Sequence, residues 1–131
     1  MLKGSCLCNS LQYEIDGELG PIVMCHCSNC RKANGSAFAT NSPIDKKAFR
    51  WTGATDALGE YQSSPGVFRQ FCRNCGSQLL SRRDAMPDVL RLRIGTLDTK
   101  IASKPAMHIF VGSKAEWFDI TDHLPQHHER P

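Results

Sequence analysis

Three cysteines lie within six residues in Cys25-His26-Cys27-Ser28-Asn29-Cys30, and two cations, Arg31 and Lys32, follow at once. Four further cysteines flank this cluster, as Cys6-Leu7-Cys8 and Cys72-Arg73-Asn74-Cys75. A CxxC turn can bring two sulfurs to one metal at Zn–S distances of about 2.3 Å, and a CxC pair chelates where the backbone kinks. Neither kind of pair fills four positions alone. Cys6, Cys8, Cys72 and Cys75 together would close a four-thiolate site and tie the N-terminal loop to a distant knuckle, although spacing does not force that pairing. Cys25, Cys27 and Cys30 come from one short segment and would occupy one face of a metal. The fourth position then faces a cavity, where water, a thiol or a carbonyl oxygen can bind. Thiolate ligands donate charge, so such a centre is a modest Lewis acid but a good host for a further thiolate. Arg31 and Lys32 would offset the thiolate charge and help to bind an anionic substrate.

Short strands must position these thiols. Leu11, Tyr13 and Ile15 alternate with polar residues, which argues for a half-buried strand. Ile22-Val23-Met24 predicts a strand that runs into Cys25, and Ser28 to Ala33 predicts helical turns ended by Asn34-Gly35. Ala37 to Thr40, Phe49 to Trp51 and Leu58 to Tyr61 read as strands, with a turn from Pro43 to Lys47. Val67 to Phe71 and Gln78 to Ser81 meet at the Cys72 knuckle, where Gly76 permits the reversal. Arg82 to Asp88 reads as a charged loop. Val89 to Ile94 reads as a strand with Leu90, Leu92 and Ile94 inward, so Arg91 and Arg93 are expected on its solvent face and not at a phosphate site. Met107 to Val111 is the last strand, and the tail from Asp119 is expected to fray. Many short strands between turns predict a mainly β fold.

Simpler roles compete for several of these residues. Disulfides are disfavoured by the odd cysteine count, by the strain of a CxC bridge and by the lack of an apolar leader. The Cys25 cluster has a structural alternative, a metal completed by a backbone group or a distant histidine. His26 is expected to point away from the metal, and His108 either lines the cavity or is a hydrogen-bonded core residue. Trp51, Trp117 and the phenylalanines are expected in the core.

The length of 131 residues predicts one domain over 1–131, with its core at about 4–118 and a polar tail, given roughly 100–200 residues per domain. A net charge of +3 is too mild for a nucleic-acid platform, for which a clustered basic face and a pI above about 9 are expected. No run approaches about 18 apolar residues, so no membrane span is expected. Met1-Leu2-Lys3-Gly4-Ser5-Cys6 has no apolar stretch of the kind a secretory leader needs, and the expected location is the cytoplasm, where thiols stay reduced.

Five motifs occur in order: Gly4-Ser5-Cys6-x-Cys8, Cys25-His26-Cys27-x-x-Cys30-Arg31-Lys32, Gly35-Ser36-x-Phe38, Phe71-Cys72-x-x-Cys75-Gly76-Ser77 and His108-Ile109-Phe110-Val111-x-Ser113-Lys114-Ala115-x-Trp117. Together they resemble the glutathione-dependent formaldehyde-activating enzyme family, also called the centromere-protein-V-like domain. The resemblance implies an Mss4-like fold, a zinc-bound β-sheet domain of short antiparallel strands with zinc knuckles. It implies two zincs per chain: a structural zinc on Cys6, Cys8, Cys72 and Cys75, and a catalytic zinc on Cys25, Cys27 and Cys30. The implied activity is a carbon–sulfur lyase that joins glutathione to formaldehyde. Arg31, Lys32 and Lys114 are expected to hold carboxylates such as those of glutathione. Two features depart from the pattern: position 9 is Asn where the family usually has Gly, and the chain is short beside formaldehyde-active members. A zinc-stabilised binding module for a protein or nucleic acid is the rival expectation.

Overall fold

Ten short strands and one helix carry the chain in the computed structural model, which describes residues 1–131. A small sheet has the order β1-β2-β5, with β1 at Leu2–Ser5, β2 at Gln12–Ile15 and β5 at Phe49–Thr52. A long sheet has the order β10-β3-β4-β9-β8-β7-β6. Its strands are β3 (Ile22–Cys25), β4 (Ala39–Asp45), β6 (Leu58–Ser64), β7 (Val67–Cys72), β8 (Gln78–Arg83), β9 (Met86–Arg93) and β10 (Pro105–Ile109). The helix α1 spans Ser28–Asn34. The fold is mainly β and mostly antiparallel, as the sequence predicts. One pair departs from this, since β10 runs parallel to β3. β10 arrives after a long excursion, so no hairpin constrains its direction.

The main core lies between the two sheets. Tyr13 and Ile15 of β2 meet Ile44, Leu80, Leu90 and Leu92 of the long sheet. Tyr13 stacks on Phe49 at 5.2 Å between ring centroids and meets the Trp51 ring edge-on. Strand alternation places Leu90 and Leu92 in this core and turns Arg91 and Arg93 to the other face of β9.

Several local expectations change. Gly4-Ser5, read as loop, ends strand β1. β4 continues through Pro43, read as the start of a turn; β3 pairs with it only as far as Asn41, so the missing proline N–H breaks no ladder bond. Arg82 to Asp88 is no loop, because β8 runs to Arg83 and β9 begins at Met86. Trp117 is exposed and outside the core. Asn9 adopts φ +68°, a left-handed angle that Asn tolerates nearly as well as Gly, so the departure at position 9 keeps the backbone geometry.

The tail does not fray. The amides of His108, Phe110 and Val111 donate to the carbonyls of Pro125, Glu129 and His127 at 2.9, 2.8 and 3.1 Å. β10 is an edge strand, and its free N–H groups take the tail as a partner. Close packing continues at Gly112, where any Cβ would lie 2.3 Å from the His128 ring.

Candidate metal centres and an arginine-lined cavity

The loop after β1 and the turn between β7 and β8 bring four thiols together. Cys6 Sγ lies 3.7 Å from Cys8 Sγ, which lies 3.7 Å from Cys72 Sγ. With Cys75, all four sulfurs lie within 4.8 Å of one another. A tetrahedron with Zn–S bonds of about 2.3 Å has S···S edges of about 3.8 Å, so these residues fit a metal of that kind. Gly76 turns the knuckle at φ +80°. The Leu11 amide donates to Cys6 Sγ at 3.3 Å. Hydrogen bonding to Ser77 pulls the Cys75 thiol down to about 5, and Ser10 lowers Cys8 in the same way. Both serines therefore favour the thiolate that a metal needs.

The second set forms where β3 ends at Cys25 and α1 begins. Cys27 caps the helix, its Sγ accepting from the Cys30 amide at 3.3 Å. This cap folds Cys25, Cys27 and Cys30 back on one another, and their sulfurs lie within 4.8 Å. Hydrogen bonds from Cys25 and Cys30 hold the Cys27 thiol far below its ordinary value, and the same bond to Cys27 pushes Cys25 up. These hydrogen bonds favour the thiolate form of Cys27. Two guanidinium nitrogens of Arg69 sit 3.8 Å from Cys30 Sγ. His26 points away from the sulfurs, as expected, but it is wholly buried. Its Nε2 lies 2.8 Å from His108 Nδ1, and His108 Nε2 lies 2.9 Å from Asp122. Burial, then the neighbouring His108, lowers the basicity of His26. His108 is therefore a hydrogen-bonded core residue and not a cavity wall.

A cavity of about 210 Å³ opens beside the inner thiols. Strand register builds it. Arg91 stands opposite Ser81, and Ser81 opposite Arg69, so the three share one face of β9, β8 and β7. Arg93 stands opposite Asn41, and Asn41 opposite Val23, two residues before Cys25. Five arginines reach this cavity: Arg69, Arg83, Arg91, Arg93 and Arg130. Arg91 and Arg93 are thus not on a solvent face; α1 and the tail cover that side of the sheet, and Arg93 is only 5% exposed. Alternation shows that a strand has two faces but not what covers the polar one.

Lys32 lies in the wall of an adjoining groove of about 570 Å³, which shares Asn29 and Arg69 with the cavity. Arg31 and Lys114 line neither, and Lys114 Nζ donates to the carbonyls of Ala115 and Phe118. A shallow depression of about 620 Å³ near Leu19 and Asp88 contains no thiol or histidine. Arg69, Arg83, Arg130 and Asp122 escape a reading of the sequence. The only trace of this face was the Arg-x-Arg alternation in β9.

The pattern of the family described as "Glutathione-dependent formaldehyde-activating enzyme" matches residues 1–113. The chain belongs to the glutathione-dependent formaldehyde-activating enzyme family. An uncharacterized lyase of Schizosaccharomyces pombe is 32% identical over 77 residues, covering 59% of this chain and 54% of that protein. A protein of Pyrenophora teres f. teres, provisionally named a glutathione-dependent formaldehyde-activating enzyme, is 30% identical over 79 residues, covering 59% of this chain and 42% of that one. The chain spans about half the length of these family relatives. A crystal structure of a Rhodobacter sphaeroides protein shares the fold, with a TM-score of 0.64 and 24% identity over 76% of this chain and 91% of that chain. The family match ends at residue 113, so Asp122 and Arg130 lie beyond it. No helix is long and apolar enough to cross a membrane.

Proposed function

We propose that this chain is a carbon–sulfur lyase that makes or breaks the C–S bond of a small thiol–aldehyde adduct, of the type S-(hydroxymethyl)glutathione. One observation carries this reading. Cys6, Cys8, Cys72 and Cys75 close on one another, while Cys25, Cys27 and Cys30 converge in the wall of a cavity. The first set would hold a structural zinc and the second a catalytic one. A zinc on the second set, when bound, supplies an open position that stabilises a thiolate or polarises a carbonyl oxygen.

The chain's own residues do the rest. Cys25, Cys27 and Cys30 fix the reacting position at one end of the cavity. Arg69 balances the charge gathered on these sulfurs. Val23, Ile109 and Phe110 give the cavity an apolar wall that limits water. The body of a thiol such as glutathione runs out along the adjoining groove, where Lys32 can hold a carboxylate and Tyr61 offers a ring face. Residues 1–131 act as one unit in this reading, because the tail supplies Arg130. A cytoplasmic setting keeps the thiols reduced.

The test follows hemithioacetal formation from glutathione and formaldehyde by NMR exchange. Protein carrying two metals per chain should accelerate the approach to equilibrium, and Cys27→Ser should abolish the acceleration. No acceleration at verified metal content would remove this substrate pair.

A further inference from the structure

We infer that the cavity beside Cys25, Cys27 and Cys30 binds a compact carboxylate carried by the carbonyl reactant, so that the preferred aldehyde is a short 2-oxo acid and not an uncharged one. This rests on the carbon–sulfur reading above.

Charge is the first argument. Five guanidinium groups reach the cavity, and no Asp or Glu lines it. None of the five is paired with a carboxylate of the chain. Arg69 is 7% exposed and Arg93 5% exposed. Arg93 donates to the neutral Asn41 Oδ1 at 2.7 Å, and its Nε has no partner. Arg91 Nη1 is buried and equally without one. The sulfurs of Cys25, Cys27 and Cys30 offset the charge of Arg69, but five guanidinium groups exceed what three sulfurs can balance, and the buried nitrogens of Arg91 and Arg93 leave hydrogen bonds unmade. Guanidinium forks match the planar oxygens of a carboxylate, which would satisfy both deficits at once.

Size is the second argument. The cavity of about 210 Å³ is smaller than the roughly 300–1,000 Å³ of sites for drug-sized ligands. A tripeptide thiol therefore needs the adjoining groove for its body, which leaves the arginine end for the other reactant. Formaldehyde carries no charge and would leave every guanidinium as it stands. A 2-oxo acid puts its carbonyl carbon one bond from the carboxylate, within reach of a thiol seated at the cysteines. The thiol sulfur bonds to that carbon, the carbonyl π pair moves to oxygen, and oxygen takes the proton the thiol loses. No oxidant is required, and the reverse step breaks the same bond.

The experiment titrates metal-loaded protein with oxalate and with inorganic phosphate by calorimetry, then compares glyoxylate with formaldehyde as partners for glutathione. Oxalate should bind with one site per chain and tighter than phosphate. Binding should weaken by about tenfold or more in Arg91→Gln and in Arg130→Gln, the loss of one charge-assisted contact. The kcat/KM ratio of glyoxylate to formaldehyde should exceed one and fall in both variants. Melting curves and metal content confirm that each variant is folded. Absence of oxalate binding, binding unchanged in both variants, or tighter phosphate binding would overturn the carboxylate site. Oxalate binding with formaldehyde preferred would overturn the assignment to the carbonyl reactant. Oxalate binding lost in both variants, with neither aldehyde turned over, would sink the carbon–sulfur reading and keep the anion site.

Discussion

His26 Nε2 lies 2.8 Å from His108 Nδ1, so the loop between two thiols of the inner set is tied to β10 through a buried imidazole pair. Asp122 accepts from His108 Nε2, which leaves His108 Nδ1 as acceptor and makes His26 Nε2 the donor when both rings are neutral. Replacing His108 with Ala should cost about 2–4 kcal/mol, because it removes a packed ring and orphans the His26 donor. Denaturant unfolding measures the loss, and an unchanged midpoint would show that the pair holds nothing.

The same chain of contacts predicts an acid limb. The hydrogen bond from His108 holds the Asp122 carboxyl below its ordinary 3.8. The folded state therefore binds this proton later than the unfolded state does. Its contribution is present above the ordinary value and is lost as pH falls through the lower, folded one. Below about pH 4, Asp122→Asn should flatten the decline of melting temperature with pH. Parallel curves for the two proteins would contradict this.

The two thiol sets should respond differently to removal of one ligand. Cys72 is fully buried and its set ties the loop after β1 to the knuckle, so Cys72→Ser should unfold much of the chain or lower its melting temperature steeply. Cys27→Ser keeps a side-chain acceptor at the helix N-cap, where serine is among the preferred residues, and should leave the fold while lowering metal content by one ion per chain. Circular dichroism and metal analysis read both. Equal losses of structure would mean that the inner set is also structural.

Arg69 donates toward Cys30 at 3.8 Å from a buried position. Arg69→Met keeps bulk but removes the charge, and should weaken metal retention at the inner set by about 10-fold or more. Competition with a chromophoric chelator measures it. Unchanged retention would show that the contact does not act on the metal site.

Deleting residues 119–131 should free the outer edge of β10. The amides of His108, Phe110, Val111 and Gly112, which donate to tail carbonyls, should then exchange with solvent far faster than amides of β8. Unchanged protection would mean that the tail only rests on the sheet.

Much of the site was legible because local chemistry decides it. The CxC and CxxC spacings specify sulfurs that a single turn can gather, and a division into four and three follows from counting ligands. Alternation in Leu11 to Ile15 and in Val89 to Ile94 marked two strands of the core. Three short-range readings failed where a segment gained a partner elsewhere in the chain. Gly4-Ser5 pairs with β2, Pro43 pairs with Arg91, and the tail pairs with β10. A strand that looks polar on its own is stabilised by the edge it meets, and that edge is invisible locally.

The residues Cys25, Cys27, Cys30 and their four counterparts determine by themselves that this chain can gather metal at two places. Only the tertiary structure decides what faces the open one. Arg69, Arg91 and Arg93 come from two strands, β7 and β9, and Arg130 comes from the tail. Strand register carries the first three to one wall, since residues directly opposite one another share a face. Register is a relation between segments far apart in sequence, so the charge of the site appears only when the sheet is assembled.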